Sequence, residues 1–510
     1  YTCGPNCQPT RAALVTGQYG PRTGVYTVGG TDRFDTSRRP LVPVENVQQL
    51  PLDKRTLGQA MKQAGYATAL FGKWHLGQQG RHHPSARGYD RAITSMGQHF
   101  GFRTQPPVDH PKDAYLADWL TDRSLEFIEE NRSRPFFLEL HHFGVHVPHE
   151  AKPALVRKFR GKPPEGGHHD PTYAAMIASL DESVGRVVAK LEELKLTENT
   201  LVIFTSDNGG VGGYVAAGVK TREGITDNAP LRGGKGMLYE GGVRVPWVAS
   251  WPGTVRPGVT DVPINSVDFF PTLMELAGGA ARTGDVLDGT SFAPLLTGGN
   301  LGERKPMFWH FPGYLGSGKN VWRTTPAGSV RAGDWKLIEF FEDGRVELYN
   351  LEMTSASRTT WPPRMPEKRD ELHKLLRDWR ASVHAPDAGA QGQGQPRNHW
   401  TSRRPVTSHA RRFTHDRIDA RPPRRTLLAP LAGSRAEPRV RLRRRPAVRR
   451  DERRAEGAGE RPLPGSRPRT WTASPPKGAV PQRLRGQLAL LAEPRARATW
   501  AGVTTAERDL

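Results

Sequence analysis

The chain has 510 residues, is 36% hydrophobic and has a mean hydropathy of −0.62, and no run of eighteen apolar residues occurs, which excludes a membrane-spanning helix. Its net charge of +22 is concentrated in the tail: residues 387–510 hold 27 Arg, 1 Lys and 11 acidic residues, a net +17, so the other 386 residues carry +5 (22 less 17). The two cysteines, Cys3 and Cys7, are too few for a disulfide framework.

The first polar motif comes at the start, Cys7-Gln8-Pro9-Thr10-Arg11. Taken alone it is open between a reactive thiol, a surface disulfide with Cys3 and half of a zinc site, although no second cysteine pair completes such a site. A helix over 56–64 follows, with Asp53 as the expected cap and Gly65 as the stop. A strand over 67–71 leads into Gly72-Lys73-Trp74-His75-Leu76-Gly77. Alternation puts Lys73 and His75 on one side, a cation beside an imidazole.

Apolar spacing predicts helices over 113–131 and 171–194. Between them a strand over 135–140 runs into four histidines in nine residues, His141, His142, His146 and His149. These histidines fit a metal site or one catalytic histidine among bystanders, and the second is favoured. Thr200–Thr205 is continuously apolar, as suits a strand covered on both faces, and ends in Ser206-Asp207-Asn208-Gly209-Gly210. Oxygens at the carboxyl end of such a strand suit Ca²⁺ or Mg²⁺, and the same residues also form ordinary turns. Leu231-Arg232-Gly233-Gly234-Lys235-Gly236 offers a glycine-flanked lysine for an anion and leads through Glu240 to a strand over 246–250. Val219 between Gly218 and Lys220 breaks any phosphate-loop spacing nearby.

Beyond about 302 the pattern becomes antiparallel, with strands over 329–341 and 345–351 around the turn Glu342-Asp343-Gly344, then a helix over 367–383. Residues 387–510 are Arg-, Pro-, Ala- and Gly-rich without period, and are expected to be disordered. Twenty-seven Arg to one Lys, without regular aromatic interleaving, speaks against a nucleic-acid partner and resembles GC-rich DNA read in a shifted frame.

Together and in this order, these motifs resemble the sulfatase family. Cys7-Gln-Pro-Thr-Arg11 is similar to its Cys-x-Pro-Ser/Thr-Arg formylglycine motif, and Gly72-Lys-Trp-His-Leu-Gly77 to its second signature. The resemblance runs from Tyr1 to about Val383. It implies an α/β fold, an alkaline-phosphatase-like sandwich with a central mixed sheet plus a small C-terminal α+β subdomain, divided as 1–302, 303–386 and the tail 387–510.

The resemblance further implies that Cys7 is oxidised to formylglycine by a formylglycine-generating enzyme or other maturase, and that Asp207 and Asn208 bind Ca²⁺ with it. Arg11 holds the hydrate, Lys73 and Lys235 contact sulfate, His75 takes a proton, and His146 gives one to the leaving group. The implied reaction is hydrolysis of a sulfated small molecule or glycan in the periplasm or outside the cell, with a phosphomonoester or phosphonate hydrolase, or an inactive fragment, as alternatives. Two departures stand out. The family's paired metal-binding aspartates lie upstream of the cysteine, so an incomplete N-terminus and a lost signal peptide are expected. In addition, 353–364 replaces an acidic stretch, as compensating frameshifts would.

Overall fold

The computed structural model describes residues 1–221, 224–279, 282, 284–318, 321–353, 365–390 and 487–492, with backbone alone for Asp32, Ser317, Gly318 and 487–492. The chain divides into a unit of Tyr1–Gln395 with Val480–Leu510, and a second, Pro396–Ala479, outside the described residues. The 354–364 part of the acidic-stretch replacement also lies outside them.

A six-stranded mixed sheet forms the centre, in the order Arg91–Thr94, Ala67–Gly72, Phe136–His141, Gln487–Ala492, Thr200–Thr205, Trp247–Ser250. The first five are parallel and the last is antiparallel to Thr200–Thr205. Both faces are covered, which is why the strands are continuously apolar. Leu70, Phe137, Leu201 and Ile203 point to one face, packing with Ala12, Val15, Met61, Phe270 and Leu273. Phe71, Leu138, Leu140 and Val202 point to the other, against Leu120, Phe127, Ile128, Val187 and Leu191. The fold is therefore the expected α/β sandwich.

Local expectations differ in detail. The helix Leu57–Gln63 is capped by Thr56, not Asp53. The Thr56 hydroxyl accepts from the Gln59 amide while the Gln59 side chain accepts from the Thr56 amide, a reciprocal capping box closer to the first turn than Asp53 can reach. Helices form at Leu116–Glu130 and at Pro171–Glu193, the latter capped by Asp170. The strand expected over 329–341 folds back at Gly333, giving Ala327–Ala332 and Trp335–Phe340.

With Met307–Phe311 and Val346–Asn350 these two make a four-stranded antiparallel sheet. The helix Pro366–Ser382 covers one face through Leu372 and Leu376, with Trp379 stacked on Phe308 at 4.5 Å. The other face packs Trp309, Ile338 and Tyr349 against Met237, Leu238, Tyr239 and Val243, the loop that follows Lys235.

Two parts of the expected tail carry backbone pairing. Gly389–Ala390 pairs with Leu41–Val42, and Gln487–Ala492 lies between Phe136–His141 and Thr200–Thr205, hydrogen-bonded to both. This departs from the expectation of disorder for those residues. Gln-Leu-Ala-Leu-Leu-Ala is an apolar island in an Arg-rich stretch. Two flanking strands each present an unpaired edge, and one inserted strand satisfies both.

Burial of neutral histidines couples this fold to pH. Burial lowers the pKa of His142 to about 4. For His310 burial, followed by the charge of Arg380, lowers it to about 3. An unfolded histidine titrates near ~6.5, so the unfolded chain takes up protons first as the pH falls. The stability these residues contribute is complete above that value and is lost on acidification toward 4, by roughly 1.4 kcal/mol per pH unit per group. Denaturant unfolding at pH 7, 6 and 5 should show this loss, and His142→Gln should flatten the slope; an unchanged slope would contradict the assignment.

Candidate active site

Cys7 is the first residue of the helix Cys7–Thr16. The helix starts there because Asn6 is extended and the Thr10 hydroxyl reaches back to the Gly4 and Asn6 carbonyls, at 3.1 Å each. Gly17 ends it in the left-handed conformation, its amide bonded to the Ala13 carbonyl. A helix start favours an anionic sulfur. Cys7 is buried, and Cys3 is a separate buried free thiol.

Arg11, one turn on, points to the end of the Thr200–Thr205 strand. Its Nε donates to Asp207 Oδ2 at 2.8 Å and its second terminal nitrogen lies 2.7 Å from the same oxygen; the first donates to the Lys73 carbonyl at 2.5 Å. Lys73 leaves the Ala67–Gly72 strand through Gly72, φ 108°. A β-carbon there would lie 2.0 Å from the His141 carbonyl, the group that accepts the Lys73 amide at 2.8 Å. Lys73 and His75 thus lie on the turn after the strand, with His75 itself at φ 65°, so their placement comes from that turn and not from strand alternation.

The Lys235 loop closes the site from the other side. The Lys235 amide donates to the Gly210 carbonyl at 2.9 Å and the Gly236 amide to the Pro5 carbonyl at 2.7 Å. Asn228, which sequence reasoning missed, clamps this loop to the Asp207 strand end: its amide nitrogen donates to the Gly210 and Gly233 carbonyls and its oxygen accepts from the Gly210 amide, all at 3.0 Å. Nothing about an asparagine among Thr, Asp, Ala and Pro marks such a role. Buried Glu139 was also missed. It shares a short hydrogen bond with the Tyr89 hydroxyl; burial raises its pKa to about 7 although that bond and the charge of Arg11 oppose the rise.

The charges act on each other as neighbours. Burial and Asp207 oppose ionisation of Cys7, but Lys235, Lys73 and His146 outweigh them and bring the thiol down to about 7. Burial likewise opposes the Asp207 charge, yet Arg11, Lys73 and Lys235 hold its carboxyl well below the usual range. Burial, then Lys73 and Arg11, lowers His75 to about 3; burial, then Lys235 and Lys73, lowers His146 to about 4. Both imidazoles are neutral at pH 7.

Thus Cys7, Arg11, Lys73, His75, His146, Asp207 and Lys235 share one electrostatic neighbourhood, and buried Asn208 follows Asp207 directly. His142 stays outside it, bonded to Ser183 at 2.8 Å. Phe102, Trp309 and Phe311 are buried core, and Phe100 is half-buried.

No group of three or more His, Cys, Asp or Glu side chains forms a metal cluster among the described residues. The Asn208 Oδ1 atom is buried without a hydrogen-bond partner, beside an ionised Asp207. A bare amide oxygen and a carboxylate suit a hard divalent cation, supplying part of the six to eight oxygens that Ca²⁺ takes. No helix of the described residues is long and apolar enough to cross a membrane.

Known proteins give this geometry its family. The Sulfatase model matches residues 1–280, and the model for the N-sulphoglucosamine sulphohydrolase C-terminal region matches 234–380. A sulfatase of Formosa agariphila is 31% identical over 459 residues, covering 75% of this chain and 80% of the relative. The N-acetylgalactosamine-6-sulfatase of Canis lupus familiaris is 33% identical over 371 residues, covering 68% and 66%. Among solved structures, Ps i-CgsB in complex with k-i-k-neocarrahexaose matches with a TM-score of 0.61 at 24% identity, covering 77% of this chain and 86% of that one. The phosphonate monoester hydrolase SpPMH from Silicibacter pomeroyi shares the fold at a TM-score of 0.50 and 17% identity. The chain belongs to the sulfatase family, a family of sulfuric ester hydrolases.

Proposed function

We propose that this chain hydrolyses the sulfate ester of a sulfated glycan or small molecule, with Cys7 converted to formylglycine as the nucleophile and Ca²⁺ held by Asp207, Asn208 and that residue. One observation carries the reading: Cys7, the nucleophile-type side chain at the helix start, lies among Lys73, Lys235 and the Arg11–Asp207 pair. Formylglycine would supply an attacking oxygen, and the cation would neutralise charge on the sulfate.

The chain's own groups do the rest. Lys73 and Lys235 offer fixed positive charge to the sulfate oxygens. Arg11 orients Asp207 and stands beside the nucleophile. His75 is neutral at pH 7 and its Nδ1 is buried without a hydrogen-bond partner, an open position for a proton; an anionic sulfate would offset the Lys73 charge that, after burial, does most to lower its pKa. His146 is the proton donor for the leaving oxygen. An anionic sulfate between Lys73 and Lys235 cancels the two charges that, after burial, do most to lower its pKa, and raises it toward the donor range.

A glycan is the favoured substrate because relatives include N-acetylgalactosamine-6-sulfatases. Export to the periplasm or beyond goes with this reading. A phosphonate or phosphomonoester hydrolase is the second reading, on the strength of the shared SpPMH fold. Turnover of 4-nitrophenyl sulfate against 4-nitrophenyl phosphate separates the two. The mass of the Cys7 peptide after expression with a formylglycine-generating enzyme tests the nucleophile: thiol lost to aldehyde supports it, an intact thiol rejects it. Lys73→Ala should lower kcat by roughly 10²–10³, the cost of one preorganised donor; steady-state kinetics on the aryl sulfate measures this.

A further inference from the structure

The hairpin of Leu315–Gly318 and Val321–Thr324 lies beside the Lys235 loop. Its two large side chains have different surroundings. Trp322 packs edge-on against Phe34 and tilted against Tyr314. Arg323 runs along Gly236, where a β-carbon would meet its Cδ at 3.5 Å, and its guanidinium stacks 4.7 Å from the centre of the Tyr214 ring. The Tyr214 hydroxyl donates to the Lys235 carbonyl at 2.9 Å. Arg323 is thus one side chain removed from the lysine assigned to sulfate.

Around it is a cavity of about 180 Å³, lined by Met237, Tyr239, Trp322, Thr324 and Arg345 among others. That is the liquid volume of roughly six waters, enough for an anionic group and part of a sugar ring. Arg345 in its wall is already paired with Glu347 and Asp343. Arg323 is different. It is half-buried, its Nε is buried without a hydrogen-bond partner, and among the described residues no carboxylate lies within ion-pair distance. A guanidinium partly stripped of water and left unpaired is costly unless a ligand completes it. Its planar fork suits carboxylate or sulfate, and the aromatic rings beside it suit a sugar face.

We propose that Arg323 binds a second anionic group of the saccharide whose ester is held at Cys7 and Lys235, a second sulfate on the same sugar or a uronate carboxylate on its neighbour. This rests on the sulfatase reading and deepens it: the substrate is a polyanionic saccharide, not a simple aryl or steroid sulfate.

The test compares the intact chain with Arg323→Gln and Arg323→Lys. The substrates are 4-nitrophenyl sulfate, a 6-sulfated N-acetylhexosamine, the same sugar with a uronate neighbour, and its disulfated form. In Arg323→Gln, kcat/KM for the doubly charged sugars should fall roughly 10–100-fold relative to the singly charged ones, mostly through KM, the worth of a charge-assisted hydrogen bond. Arg323→Lys should recover part of it. An equal fall on all four substrates, or none, overturns the proposal. Calorimetric binding of the uronate-bearing sugar decides the case in which nothing is turned over. Arg323-dependent binding then keeps the anion site and rejects the sulfatase reading; absent or Arg323-independent binding rejects the anion site.

Discussion

Cys7→Ala should abolish turnover of aryl sulfate, by roughly 10⁴–10⁶ in kcat, the scale on which loss of a nucleophile is felt in enzymes whose catalytic groups act as a unit. Cys3→Ala, four residues away, should leave the rate in place and lower stability instead. The contrast follows from surroundings. Cys3 lies with Ala13, Tyr19, Val267 and Phe308 in an apolar cluster, where burial first and Asp288 second push its thiol far up. Cys7 is equally buried but faces Lys235, Lys73 and His146, which bring its thiol down to about 7. One cysteine is packing material and the other is poised chemistry. Single-turnover and steady-state kinetics on both variants, with melting temperatures as the control for folding, check the pair. Retention of activity in Cys7→Ala would end the proposal that this residue is the nucleophile, and loss of activity in a well-folded Cys3→Ala would show that the two thiols had been misassigned.

Much of this site could be read before any coordinates, because its residues sit on strand ends and loop glycines that announce themselves. Thr200–Thr205 is continuously apolar and stops at Ser206-Asp207-Asn208, so the sheet's carboxyl edge and its oxygen donors were legible together. Gly72 is held to glycine by the His141 carbonyl, 2.0 Å from where a β-carbon would lie, a contact between strands that the sequence alone does not show. What escaped was long-range and polar. Asn228 is a clamp only because the Gly210 and Gly233 carbonyls converge on it, and no periodicity encodes that convergence. Glu139 reads as one polar residue in a strand, and its Tyr89 partner lies fifty positions away. The Asp53 cap was misjudged because propensity favours several oxygens near a helix start, while the Thr56–Gln59 reciprocal pair decides among them. The Gln487–Ala492 strand was passed over for its Arg-rich surroundings, although its own six residues are as apolar as any central strand.

Lys336→Ala should destabilise the fold by about 3–5 kcal/mol, the cost of leaving a buried charge without its partner. Lys336 comes from the antiparallel sheet and Glu240 from the short helix Glu240–Val243 that closes the Lys235 loop; both are fully buried, with Nζ 2.7 Å from Oε1. Burial opposes the Glu240 charge, but Lys336 and the Tyr1 hydroxyl, which donates to the other oxygen at 2.5 Å, hold its pKa below the ordinary carboxylate value. From that helix the Gly241 amide bonds to the Arg232 carbonyl at 2.8 Å, and the Gly242 carbonyl accepts the Gly209 amide at 3.0 Å. The ion pair therefore ties the small sheet to the loop carrying Lys235 and to the strand end carrying Asp207. Its rupture should lower the melting temperature and kcat together, whereas a surface pair such as Lys374–Asp378 should move neither, because exposed pairs contribute about 0–1 kcal/mol. The double change Glu240→Gln with Lys336→Met removes both charges and should regain most of the stability, since no buried charge is left without a partner and the Gln oxygen can still accept from the Tyr1 hydroxyl. Equal destabilisation by the single and double variants would overturn the assignment of the loss to a buried charge left without its partner.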